Sequence, residues 1–80
     1  MKPDNFDFEI MTVIKELRRR KQLKQVNIAK ALNTTESNYC KMENGKKTIS
    51  VGQLKIIAEY LHTSIQQIAK KAEKTFNFGK

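Results

Sequence analysis

The chain has 80 residues, 39% hydrophobic, with three Gly, one Pro and one Cys; that length allows one small core and no second lobe, and the low Gly and Pro content favours an all-helical globule over disorder. Sixteen Lys and Arg against eight Asp and Glu give a formal charge of +8, more than solubility needs, which favours an anionic partner, either nucleic acid or acidic lipid. The lone Cys excludes an internal disulfide, residues 1–10 hold three acids with no apolar run after them, and no stretch nears a membrane span, so a cytoplasmic protein without a signal peptide is expected.

Residues 1–5 read as a lead-in, with Asp4, Asn5 and Asp7 each able to cap the first helix. Phe6, Ile10, Ile14 and Leu17 recur at helical spacing, with Val13 beside them, and define a core stripe. The helix then turns basic, with Lys15, Arg18, Arg19, Arg20, Lys21 and Lys24 against Glu16. Cations near a helix C-terminus favour the dipole, which accounts for part of this run. Their number argues for phosphate contact as well, from Lys24 and Arg19 or Arg20 in preference to Arg18.

Gln25 to Leu32 forms the next helix, with Ile28, Ala29 and Leu32 on one apolar edge. Asn33 stands where the helix must stop, and Asn tolerates the left-handed conformation better than any residue but Gly. Thr34-Thr35 then offers a hydroxyl N-cap for a helix from Glu36 to about Glu43, closed by Gly45. At a helical angular step, Tyr39, Met42 and Glu43 share one side of it. Ser37, Cys40, Lys41 and Asn44 share the other, with Glu36 at its margin. That outward face is short, polar and hydrogen-bonding, suited to a surface with donors and acceptors of its own, such as a base-pair edge.

Lys46 and Lys47 lie in a loop leading to Ser50, the N-cap of a fourth helix. Leu54, Ile57, Ala58 and Leu61 supply its core face, while Ile56 and Tyr60 form an adjacent strip that is either well buried or a partner surface. His62 has no companion at ligand spacing and reads as a helix-end residue, not a metal ligand. Ser64 caps a fifth helix with Ile65, Ile68, Ala69 and Ala72 on one face and Lys70, Lys71 and Lys74 elsewhere. Phe76-Asn77-Phe78-Gly79-Lys80 ends the chain.

Taken together, several of these features resemble one family. They are Arg18 seven residues before Gln25, the Ile28-Ala29 pair, Leu32-Asn33-Thr34-Thr35, Glu43-Asn44-Gly45-Lys46, and Ile49-Ser50 followed by Gln53-Leu54 and Ile57-Ala58. Over roughly residues 10–68 the chain is similar to the phage-repressor/Cro-type (XRE-like) helix-turn-helix DNA-binding proteins. It departs from their pattern at Asn33 and His62, where Gly is usual, and at Tyr39, where a smaller aliphatic is usual. The resemblance implies an all-α, five-helix, lambda-repressor-like domain over residues 1–80, with the motif at 25–45 and tails at 1–5 and 76–80. It also implies that Arg18 pairs with Glu43, tying the first helix to the end of the third. Glu36 falls at a position that reads bases in that family.

The expected function is therefore sequence-specific transcriptional regulation, with a homodimer on an inverted repeat of double-stranded DNA. Glu36, Ser37, Lys41 and Asn44 are the expected base contacts. Gln25 and Thr35, near helix N-termini, and Lys24, Lys46 and Lys47 are the expected phosphate contacts. Ile65, Ile68, Ala69 and Phe76, with Phe78 beyond, form the candidate dimer edge; the alternative is that they fold back onto their own core. No Ser/His/Asp or Cys/His set exists, and no paired acids with a cleft, so neither catalysis nor a cofactor is expected. A competing reading is a protein-binding module, an antitoxin or adaptor on the same fold, for which Phe76 and Phe78 would matter more than Ser37 and Lys41. Membrane-surface binding through the basic helix is weaker still, because the core needs that helix's apolar stripe.

Overall fold

A computed structural model describes residues 5–76, and side chains from Phe8 to Lys74. It contains five helices: α1 (Asn5–Arg20), α2 (Gln25–Ala31), α3 (Glu36–Glu43), α4 (Val51–Tyr60) and α5 (Ile65–Phe76), with no strand among the described residues. The side chains of the candidate caps Asp4, Asn5 and Asp7, and those of Phe6, Phe76 and Phe78, lie outside the described ones.

The core is assembled from the apolar stripe of each helix. Val13 and Ile14 of α1, Ile28 and Ala29 of α2, Tyr39 and Met42 of α3, Leu54, Ile57 and Ala58 of α4, Leu61, and Ile68 and Ala72 of α5 are all buried. Burying an aliphatic or aromatic side chain of this size stabilises by roughly 1.5–3 kcal/mol each, which is what commits these amphipathic segments to one arrangement. The longest packing runs between α1 and α5, so the last helix closes the bundle over the first. One consequence differs from the expectation of spacing: Met11, off the Ile10/Ile14/Leu17 stripe, is buried, whereas Ile10 and Leu17 are only partly covered.

The starts of α3, α4 and α5 follow from side-chain capping, whereas α2 begins after Lys24 with no side-chain cap. Thr35 Oγ1 accepts the N–H of Asn38 at 3.1 Å, and Ser64 Oγ accepts that of Gln67 at 3.2 Å. Ser50 and Gln53 form a reciprocal capping box, with bonds of 3.0 and 2.9 Å. Ile49 and Leu54 stand at the flanking apolar positions and both join the core.

Helix ends share one device. Gln22, Asn33, Gly45 and His62 all take the left-handed conformation, at φ 58, 59, 76 and 58°. Behind each, the next N–H reaches back to a carbonyl in the last turn: Leu23 to Arg18 (3.0 Å), Thr34 to Ala29 (2.9 Å), Lys46 to Lys41 (2.8 Å) and Thr63 to Ala58 (2.8 Å). This is the Schellman pattern, which satisfies carbonyls that a helix otherwise leaves open. Glycine serves at only one of the four. At Gly45 a side chain would be both strained and obstructed, since an added Cβ would stand 3.1 Å from the Phe8 ring.

Candidate nucleic-acid interface

The α2–turn–α3 unit is fixed by the Thr35 cap and the left-handed Asn33, and the angular step of α3 then decides what faces out. Tyr39, Met42 and Glu43 are 0, 5 and 2% exposed. Glu36, Ser37, Lys41 and Asn44, the four expected base contacts, are all exposed, and Cys40 between them is half-buried. Large inward groups on a helix this short leave its outward face little freedom to rotate.

Behind α3, Glu43 is the only charged residue buried among the described residues. Its carboxylate accepts Arg18 Nε at 2.7 Å and Nη2 at 3.2 Å, and Gln25 Nε2 at 3.0 Å. Arg18 Nη1 goes on to the carbonyl of Leu23 at 2.9 Å. Burial alone would raise the Glu43 pKa, but the bonds from Arg18 and Gln25, with the guanidinium charge, outweigh it and hold it below the ordinary carboxylate range. Tyr39 lies one turn away with its ring fully enclosed. Its hydroxyl sits close to this carboxylate without a hydrogen bond of proper geometry, and burial followed by the Glu43 charge pushes its pKa far up.

Gln25, expected at phosphate, thus commits one amide N–H to Glu43. The residue is half-buried. Thr35 keeps its hydroxyl proton to donate, because its oxygen acts as acceptor in the cap. Lys24 and Lys46 are exposed. Lys47 reaches back along α3, donating to Asn38 Oδ1 at 3.3 Å, while Asn38 Nδ2 donates to Thr34 Oγ1 at 3.1 Å. Asn38 therefore staples the loop after α3 to the turn before it. In the sequence the only signal of this role is the place of Asn38 three residues after the capping Thr35.

An open groove of about 640 Å³ runs alongside α3. Lys15, Arg19 and Lys24 line it from the α1 and α2 side, Glu36 and Asn44 from the α3 side, and Arg18 and Gln25 lie at its floor. Lys15 and Arg19 are one turn apart on α1, so the basic run puts two of its cations on this wall. Among the described residues no group of His, Cys, Asp and Glu could hold a metal ion, and no helix is long and apolar enough to cross a membrane.

The candidate dimer edge divides. Ile65 and Ala69 are half-buried, but Ile68 is 1% exposed, fully enclosed by the core of its own chain. It faces the core and not the outside, because it falls in line with Ala72 on the packed side of α5.

No curated protein and no solved structure gives a significant match. The helix-turn-helix family matches residues 14–75, a span that holds the α2–turn–α3 unit, the Arg18–Glu43 pair and the groove between them. On that match and this geometry, the chain belongs to the XRE-type (Cro/C1-type) helix-turn-helix family of DNA-binding transcription regulators.

Proposed function

We propose that the protein is a sequence-specific regulator that binds an inverted-repeat operator as a homodimer in the cytoplasm, with α3 in the major groove. The observation that carries this reading is the outward face of α3, where Glu36, Ser37, Lys41 and Asn44 are exposed together beside a cation-lined groove. Ser37 and Lys41 lie at its centre and reach base edges; Glu36 and Asn44 flank them on the groove side. Lys24, Gln25, Thr35, Lys46 and Lys47 hold the phosphate backbone and set the register. Arg18 and Glu43 act structurally, fixing the angle at which α3 is presented. A helix of eight residues reads too few base pairs to select a genomic site, which supports a two-fold dimer.

Selection of bound sequences from a random DNA pool tests the reading. The expected product is an inverted repeat with half-site centres about one helical turn, roughly 34 Å, apart. Isolated half-sites would refute the dimer, and the absence of any enriched sequence would refute specific binding.

A further inference from the structure

α4 carries a face that its own fold does not use. Leu54, Ile57 and Ala58 point into the core, which turns the opposite ridge outward: Gly52, Ile56 and Glu59, with Lys55 on one flank and Tyr60 on the other. Ile56 is 40% exposed, and Val51 in the first turn is 76% exposed. Gly52 has no explanation within the chain. Its φ is not left-handed, and the nearest atom to an added Cβ is Ser50 Oγ at 3.8 Å, so alanine would fit and would strengthen the helix. Glycine on an exposed helix face leaves a notch that lets something outside approach closely. Lys55 and Glu59 stand one turn apart, yet no ion pair joins them among the described residues.

We propose that this face receives a second copy of the chain, α4 against α4, antiparallel about a two-fold axis. The proposal rests on the homodimer reading and moves its interface away from the α5 edge, where Ile68 is enclosed. A two-fold axis perpendicular to antiparallel helices sets each flank against the same flank of the copy. With the axis beside Ile56, the two Ile56 side chains meet, and the notch at Gly52, on the same side of Ile56 as Glu59, lets the two helices approach closely. Lys55 then lies against the partner subunit's Glu59, and the contact occurs twice. One flank carrying both a cation and an anion one turn apart is complementary to itself, which favours a second copy over an unrelated protein. A single helix of ten residues makes a small interface, so the dimer is weak in solution and is reinforced when both copies hold one DNA molecule.

Charge reversal tests this. Lys55→Glu and Glu59→Lys each place like charges together twice per dimer, and each should lower the association constant about tenfold or more in sedimentation of the full chain. Mixing the two variants should restore association to near the parent value, because in the mixed pair both contacts again join opposite charges. No effect within one chain can produce that recovery, since each variant keeps its own altered helix. Gly52→Leu, which fills the notch without harming helix propensity, should also abolish the dimer while leaving the melting temperature no lower. If the parent dimerises but the single variants associate as well as it does, or their mixture stays monomeric, the interface lies elsewhere and the homodimer reading survives. A parent that stays monomeric at the highest attainable concentration overturns both.

Discussion

Glu43→Gln removes the charge behind α3 while keeping the shape of the side chain. The carboxylate, 2% exposed, collects three N–H groups from Arg18 and Gln25. The amide can accept at one oxygen only and its own NH2 would confront a donor, so Arg18 keeps one of its two bonds there besides the Leu23 carbonyl and loses the charge of the other partner. Removing one member of a fully buried pair costs about 3–5 kcal/mol. The Arg18 side chain is 12% exposed, so water recovers part of that, and a loss of about 2–3 kcal/mol is expected. For a domain of this size that lowers the midpoint by roughly 10–20 °C. The pH dependence is a second readout. Because the folded pKa of Glu43 is depressed, its contribution is fully present above the ordinary glutamate range and is lost as pH falls through the lowered value. The gap between parent and variant should therefore be widest near neutrality and close in acid. Thermal melts followed by circular dichroism across pH, with binding to a panel of selected sites, measure both. A variant that melts like the parent yet prefers a different site would refute the structural assignment of the pair.

Four further outcomes are expected. If about six to ten phosphate contacts carry binding, affinity should fall about 10³–10⁵-fold between about 50 and 200 mM salt, and a flat response would contradict DNA recognition. Glu36→Gln should change preference at one base pair per half-site by about 1–3 kcal/mol if Glu36 accepts from a cytosine amino group, whereas a uniform gain on all DNA would mean it only repels phosphate. His62→Gly should gain about 0.5–1 kcal/mol, because the exposed His62 holds φ 58° at a cost that exceeds glycine's added freedom in the unfolded chain; a lower melting point would show that the imidazole has an unseen role. Tyr39→Phe deletes a buried hydroxyl without a partner and should raise stability by about 1 kcal/mol, while a clear loss would show that the hydroxyl bonds Glu43 in solution.

The fold was legible where the signal is periodic and local. Leu54, Ile57 and Ala58 announce the inward face of α4 by spacing alone, and Ser50 and Gln53 announce its start, because both depend on residues within two turns. Asn33 was legible as a helix stop from its own chemistry. Gln22 was not, since nothing in a glutamine favours φ 58°. There the turn is chosen by the neighbouring Leu23, which packs against the core and returns its N–H to Arg18. Met11 escaped for a related reason: its burial depends on which edges of α1 the other helices cover, and spacing along α1 alone does not show that. At the interface, the outward set on α3 follows from angle, but the bond between Gln25 and Glu43 spans 18 residues and needs both helices in place.

The turn between α2 and α3 occupies Leu32 to Thr35, and its length fixes a phase as well as a distance. A residue added there and taken up by the start of α3 advances its side chains by about 100°. One such insertion would carry Tyr39 toward water and bring Asn38 and Lys41 into the places that Tyr39 and Met42 fill. The Arg18 and Gln25 side chains would then face no carboxylate. Variation in length is thus closed to this turn, however freely its letters change. The connection from Asn44 to Ser50 has no such constraint on α3, because it leaves from the helix's finished end, pinned by Gly45 and by Lys47 on Asn38. Insertions that lengthen the chain while preserving what it reads should accumulate after the recognition helix, never before it.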